Sequence, residues 1–150
     1  MKALSIHPYP VHLIVEGWKT IEVRTWTTNY RGDLLICSTA KKKRGTIPSH
    51  ALCVAKIADI VPMKKEHCYD AMMNEKEFEK YKGNLYAWIL EDVRLIKPIP
   101  IKGKLGLWEY DGEIEYIPQE EYVVPDDTTD EELEELNKKF IEKYWKDIMI

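Results

Sequence analysis

The chain has 150 residues, 45% of them hydrophobic and 32% charged, which fits one ordinary folded domain and excludes wholesale disorder. No apolar run approaches the ~20 residues of a bilayer span and no apolar leader opens the sequence; three cysteines at wide spacing make neither a disulfide framework nor a CxxC knuckle, so the expectation is a soluble, cytoplasmic protein. The net charge of −4 divides unevenly: residues 1–110 carry 18 Lys/Arg against 12 Asp/Glu, and residues 111–150 carry 4 against 14, as a basic working surface beside an acidic appendage would, or as solubility alone would.

Lys2 to Ile6 reads as a short apolar strand. Pro8 and Pro10 suit the entry of a helix, where a missing amide proton costs nothing, and Val11 to Val15 continue it until Gly17 releases the chain. Residues 20–26 alternate, with Ile21 and Val23 on one face and Thr20, Glu22, Arg24 and Trp26 on the other, so a strand is predicted with a core face and an unusually polar face. A turn over 29–33 leads to a strand over 33–38, and Lys41-Lys42-Lys43-Arg44 forms a basic loop closed by Pro48. A long strand over 51–61 bends or ends at Pro62. The 64–82 section turns helical and polar, with Tyr69, Met72 and Met73 as its inward residues. Residues 85–96 give the strongest later strand pattern, Pro98 and Pro100 then limit pairing to an edge, and 105–109 is a final short strand. From 126 the character changes: Thr129 and Glu132 match a capping box, followed by a helix whose apolar stripe is Leu133, Leu136, Phe140, Tyr144 and Ile148. The layout is α+β, with residues 1–125 as one strand-rich domain and 126–150 as an acidic helix packed on it or on a partner.

Chemistry concentrates in Gly17-Trp-Lys19-Thr-Ile-Glu22-Val-Arg24. Glu22 and Arg24 are two apart, so they share a strand face and their heads can meet. A half-buried Arg–carboxylate fork makes a fixed polar platform, and a nearby Lys can take phosphate or serve as a base when desolvated. The plainer alternative is a solvated strand face carrying a surface ion pair. Cys37 and Cys53 fall in predicted strands and read as buried, inert thiols. His7, His12, His50 and His67 share no HExxH or finger spacing with a Cys, so neither a metal nor a cofactor is called for. His12, in the apolar helix, reads as a packed or capping residue.

Taken together, the opening segment from Lys2 to Pro8, the G-x-K-x-x-E-x-R pattern of Gly17, Lys19, Glu22 and Arg24, the Tyr30-Arg-Gly32 turn before a strand ending at Ser38, Tyr86-Ala-Trp88 and the closing Lys102-to-Trp108 run resemble the ASCH family (activating-signal-cointegrator homology) of the PUA-like superfamily. The resemblance covers residues 1 to about 110. It implies a PUA-like β-barrel with flanking short helices, to which this chain adds the C-terminal amphipathic helix. It also implies a cleft lined by Lys19, Glu22 and Arg24 and suited to RNA or a nucleotide-derived ligand. In that reading Trp26, Tyr86 and Trp88 supply stacking faces, Ser38 lies at the site, and Lys41, Lys42, Lys43 and Arg44 contact phosphates.

Some small bacterial members of the family are amidohydrolases acting on N4-acetylcytidine, with a site that resembles a Lys and a Thr three residues on, plus a Glu from elsewhere. Lys19 matches the Lys, whereas Glu22 occupies the Thr position, so a catalytic reading here uses Lys19 and Glu22 as acid–base groups. Glu66, Glu75, Glu77 and Glu79 are candidates for the third residue. A ribonuclease is another enzymatic alternative, with Lys19 or His7 moving protons. The last alternative is a protein-interaction module that offers Leu133, Leu136, Phe140, Tyr144 and Ile148 to a partner.

Overall fold

The apolar and alternating runs become six strands: β1 (Lys2–Ile6), β2 (Ile21–Arg24), β3 (Gly32–Ser38), β4 (His50–Pro62), β5 (Tyr86–Pro100) and β6 (Leu107–Glu109). In the computed structural model, which describes residues 1–122 and 127–150, they form one sheet in the order β2-β5-β4-β3-β1-β6. The domain boundary expected at 125/126 lies outside the described residues. Only β1 with β3 pairs in parallel; every other named pair is antiparallel. β4 and β5 are 13 and 15 residues long, and their pairing shifts register three times. Each shift sharpens twist and bend, so the sheet curls into a half-barrel instead of lying flat. β5 runs past its expected end at 96, because Ile99 and Pro100 still pair with Ala51 and His50 of β4. Along its other edge there, the contact is an isolated bridge from Ile96 to Tyr116, so the two prolines interrupt no strand ladder on that side.

Among the described residues four α-helices flank the sheet: α1 (Pro8–Val15), α2 (Cys68–Ala71), α3 (Glu75–Lys80) and α4 (Asp130–Tyr144). Gly17 takes a φ of +91° directly after α1, a conformation that favours glycine, and so turns the chain into β2. α4 begins with the expected box: the Glu132 amide donates to the Thr129 hydroxyl (3.1 Å), and the Thr129 amide to the Glu132 carboxylate (2.9 Å). The 64–82 section corrects one expectation. Tyr69 and Met72 point outward, 87% and 50% exposed, while Cys68 and Ala71 point in. α2 is a single turn ended by Met72 at a left-handed φ of 55°, too short for the assumed helical periodicity to place the inward side chains.

Three apolar clusters result. The inner face of the curl gathers Leu4, Ile6, Val11, Ile14, Leu34, Ile36, Trp88 and Leu90 with Phe140 and Trp145 from the C-terminal segment. The opposite face packs Ala3, Leu35, Val54 and Ile96 beneath Trp108 and Ile114. A third cluster joins Ile21, Leu85 and Ala87 to Met63, Cys68 and Ala71. β2 therefore buries both faces, and the larger core lies on the side of its charged residues. Along α4, Phe140 is buried, Tyr144 and Ile148 are half-buried against the inner cluster, and Leu133 and Leu136 are half-buried. Trp145, just past the helix, is wholly buried, although the stripe spacing did not mark it.

Trp145 packs on His12, with ring centroids 4.5 Å apart. The Nε2 of His12 accepts the Ile47 amide proton at 3.1 Å, which fixes the neutral ring. Burial pushes the imidazole down to about 4. Two outcomes follow. Trp145→Ala removes a filled core position and lowers stability by about 3–5 kcal/mol, read from urea unfolding. Because the unfolded chain takes up the His12 proton near pH 6.5 and the folded chain only near 4, stability falls as pH drops through that window, by on the order of 3 kcal/mol for this group. His12→Gln flattens that part of the pH profile; an unchanged slope would place the loss elsewhere.

Candidate functional site

The charged residues of the 17–24 segment converge because helix end, turn and strand follow each other closely. Lys19 comes off the turn with its amide bonded to the Leu13 carbonyl (3.0 Å), and Leu90 of β5 donates to the Thr20 carbonyl (3.0 Å). In register, Glu22 lies opposite Trp88 and Arg24 opposite Tyr86, so charge and aromatic share one inward face. Lys19 and Glu22 are each only 6% exposed. Glu22 takes support from three groups: its Oε1 accepts the Val23 amide at 3.1 Å and lies 3.5 Å from Lys19 Nζ, and its Oε2 lies 3.0 Å from the Arg24 guanidinium. Lys19 Nζ also donates to the Ala71 carbonyl at 2.8 Å. Arg24 donates onward to the Ser5 carbonyl of β1 at 3.0 Å. Burial lowers the pKa of Lys19, and the neighbouring Glu22 opposes that shift. The solvated surface pair is thereby excluded. Two cations and a carboxylate form a buried cluster, and Arg24 alone keeps about a quarter of its side chain open (24%).

A cavity of about 370 Å³ adjoins the cluster, walled by Lys19 and Thr20, the end of α1 (Ile14, Glu16) and α4 (Asn137, Phe140). Glu16 was not among the sequence candidates. Burial raises its carboxyl above the ordinary range, while the Trp18 indole donates to it at 3.3 Å. Asn137 of α4 donates to its main-chain carbonyl at 3.3 Å, fixing α4 against the end of α1. A helix-terminal Glu carries little signal in a sequence; only the packing of α4 encloses it.

The remaining candidates are placed as follows. Trp26 is half-buried and meets Trp88 edge-on, 4.9 Å between centroids, and its carbonyl accepts the Trp88 indole proton at 3.2 Å. Trp88 is wholly buried and presents no face to a ligand, and Tyr86 is half-buried beside it. Ser38 is wholly buried: its hydroxyl donates to the His50 carbonyl and accepts the His50 amide at the junction of β3 and β4. Lys41, Lys42, Lys43 and Arg44 are exposed on their loop, with Lys43 Nζ 4.0 Å above the Tyr9 ring. Glu66, Glu75, Glu77 and Glu79 are all exposed. Among the described residues no group of three or more His, Cys, Asp or Glu could hold a metal ion, and no helix is long and apolar enough to cross a membrane.

A curled mixed sheet whose edge strand buries a Lys/Glu/Arg cluster defines the class of protein. The sequence pattern of the ASCH domain matches residues 4–126, and the chain belongs to that family. The fold is similar to crystal structures of ASCH from Zymomonas mobilis. The unmodified protein is 18% identical with a TM-score of 0.59, covering 73% of this chain and 87% of that one. Its tyrosine-to-phenylalanine mutant is 20% identical with a TM-score of 0.58, covering 73% and 89%, and its serine-to-alanine mutant 19% with 0.58, covering 73% and 87%. No curated protein matches the sequence.

Removing one member of the buried cluster leaves the others uncompensated. Glu22→Gln lowers stability by about 3–5 kcal/mol in urea unfolding, and the apolar double replacement Lys19→Met/Glu22→Leu loses less than Glu22→Gln alone. Equal losses would mean that the charges are not coupled.

Proposed function

We propose that this ASCH protein is a recognition module for RNA or a nucleotide-derived ligand, held at the Lys19/Glu22/Arg24 end of the half-barrel. One observation carries the reading: Arg24, clamped by Glu22 and the Ser5 carbonyl, still has a buried Nε with no partner and part of its guanidinium open. A pinned guanidinium with spare donors suits a phosphate or a base edge, and the adjoining cavity of about 370 Å³ lies in the size range of small-ligand pockets. Trp26 and Tyr86, both half-buried, retain exposure for stacking, whereas Trp88 does not. The basic loop 41–44 supplies phosphate contacts, and residues 1–125 are the ASCH unit that the 126–150 segment completes. The interaction-module alternative is weakened, because Phe140, the centre of its stripe, is already buried in this chain's own core.

A second reading has its own support. Glu16, Lys19 and Thr20 line one cavity, so an acid–base carboxyl, an amine and a hydroxyl border the same space even though Glu22 fills the position of the family's Thr. Such a set suits hydrolysis of an acyl-amide on a modified nucleoside.

One set of measurements separates the readings. Labelled single-stranded RNA titrated across a salt series gives a log–log affinity slope of about −0.7 per phosphate contact. Lys42→Ala/Lys43→Ala flattens the slope without changing base preference, whereas Arg24→Gln changes the preference. Binding that ignores salt and all three substitutions sinks the RNA reading. Incubation with N4-acetylcytidine yields no product above that of Lys19→Met if the protein only binds; time-dependent product from the wild type alone puts the hydrolase in its place.

A further inference from the structure

We infer that the loop of residues 39–45 and the loop of residues 101–106 together form a phosphate track for single-stranded nucleic acid, outside the Lys19–Glu22–Arg24 cluster. The inference rests on the nucleic-acid reading above and adds a second wall that the basic loop lacks by itself.

The two loops are tied to each other. The Ser49 amide donates to the Thr39 carbonyl (3.0 Å), and the Ile101 amide to the Ser49 carbonyl (2.9 Å). Between them lies a cavity of about 500 Å³ to which Ala40, Pro100, Ile101, Lys102 and Lys104 contribute and no acidic residue does. Lys41, Lys42, Lys43 and Arg44 follow Ala40 on the first loop and Lys102 and Lys104 lie on the second, all exposed, with Lys43 Nζ over the Tyr9 ring and Lys104 Nζ 5.4 Å from the centre of the Trp108 ring. None of these six has an ion-pair partner among the described residues, whereas eleven of the other sixteen Lys/Arg do. Uncompensated like charge on adjoining loops raises the local potential and favours a polyanion.

The cavity's lining is mostly apolar, and Leu105 at the tip of the second loop is fully exposed. Cationic rims with an apolar floor suit a single strand, whose phosphates take the lysines and whose base faces take the floor. The second loop is seated closely on β1. A Cβ on Gly103 would fall 2.5 Å from the Ser5 hydroxyl, so this loop presses on the residue whose carbonyl Arg24 holds.

The test uses the full chain and a labelled single-stranded oligouridylate, with affinity measured from low to moderate salt. Lys102→Ala/Lys104→Ala weakens binding by about tenfold at low salt and flattens the log–log slope by about 1.4, two contacts at 0.7 each. Lys138→Ala/Lys139→Ala, which removes the same charge from α4, leaves both values unchanged. Equal effects of the two double variants would reduce the track to net charge and overturn it. Wild-type affinity in Lys102→Ala/Lys104→Ala, with loss still seen in Lys42→Ala/Lys43→Ala, would overturn the track and leave the recognition reading standing. Conversely, an unaltered base preference in Arg24→Gln alongside the expected lysine effects would remove the recognition reading and keep the track. No binding by the wild type would remove both.

Discussion

One side chain reaches across the curled sheet and ties its edge strand to the far side. Arg24 projects from the edge strand β2 and donates to the Ser5 carbonyl on β1, at the far side of the strand order and just past the residues that β6 pairs. A cation half-sunk in an apolar interior needs a fixed counter-charge. Glu22 provides it, two residues earlier on the same face, and is itself steadied by the Val23 amide and Lys19. Lys19 then binds the Ala71 carbonyl, so the same cluster anchors α2. The curl of the sheet and the docking of α2 draw on the same three side chains. A substitution at any of the three also changes how the sheet holds its curl.

Most of the backbone plan could be read from alternation and punctuation. Ile21/Val23 against Glu22/Arg24 set the parity of β2 correctly, and Gly17, Thr129 and Glu132 marked their helix ends. Parity alone does not say which face meets the larger core. A pattern of charges is read as outward, and here it points inward because the register sets it beside Trp88. Tyr69 and Met72 were misread for a different reason: one helical turn is too short for periodicity to bind. Of the candidate site, the Lys19, Glu22 and Arg24 grouping was visible as spacing. Ser38 and Trp88 were not placeable, since burial arises from strands remote in sequence. Glu16 and Lys102/Lys104 acquire their surroundings only through the packing of α4 and through the close approach of Gly103 to Ser5.

The two charge populations occupy separate territory. The acids Asp130, Glu131, Glu132, Glu134 and Glu135 are exposed over the first turns of α4. That favours the helix N-terminus through its dipole and repels phosphates from the 370 Å³ cavity that α4 helps enclose. Lys41, Lys42, Lys43, Arg44, Lys102 and Lys104, none of them in an ion pair among the described residues, stand on the 39–45 and 101–106 loops. One domain thereby carries an acidic helix surface and a basic pair of loops on separate elements.

The parallel pairing of β1 with β3 has a consequence for the order in which the chain acquires structure. Lys2–Ile6 gains one neighbour when residues 34–38 arrive and its other only with Leu107–Glu109, and the inner core against α1 lacks Trp145 until later still. At ribosomal rates of about 5–20 residues per second, the first strand stays a one-sided edge for several seconds at least. Its apolar side chains are thus exposed longest to whatever else in the cell pairs with open strands. Lys2, poised to pair with Glu109 at 3.2 Å once β6 docks, leaves a charge on that edge during the wait.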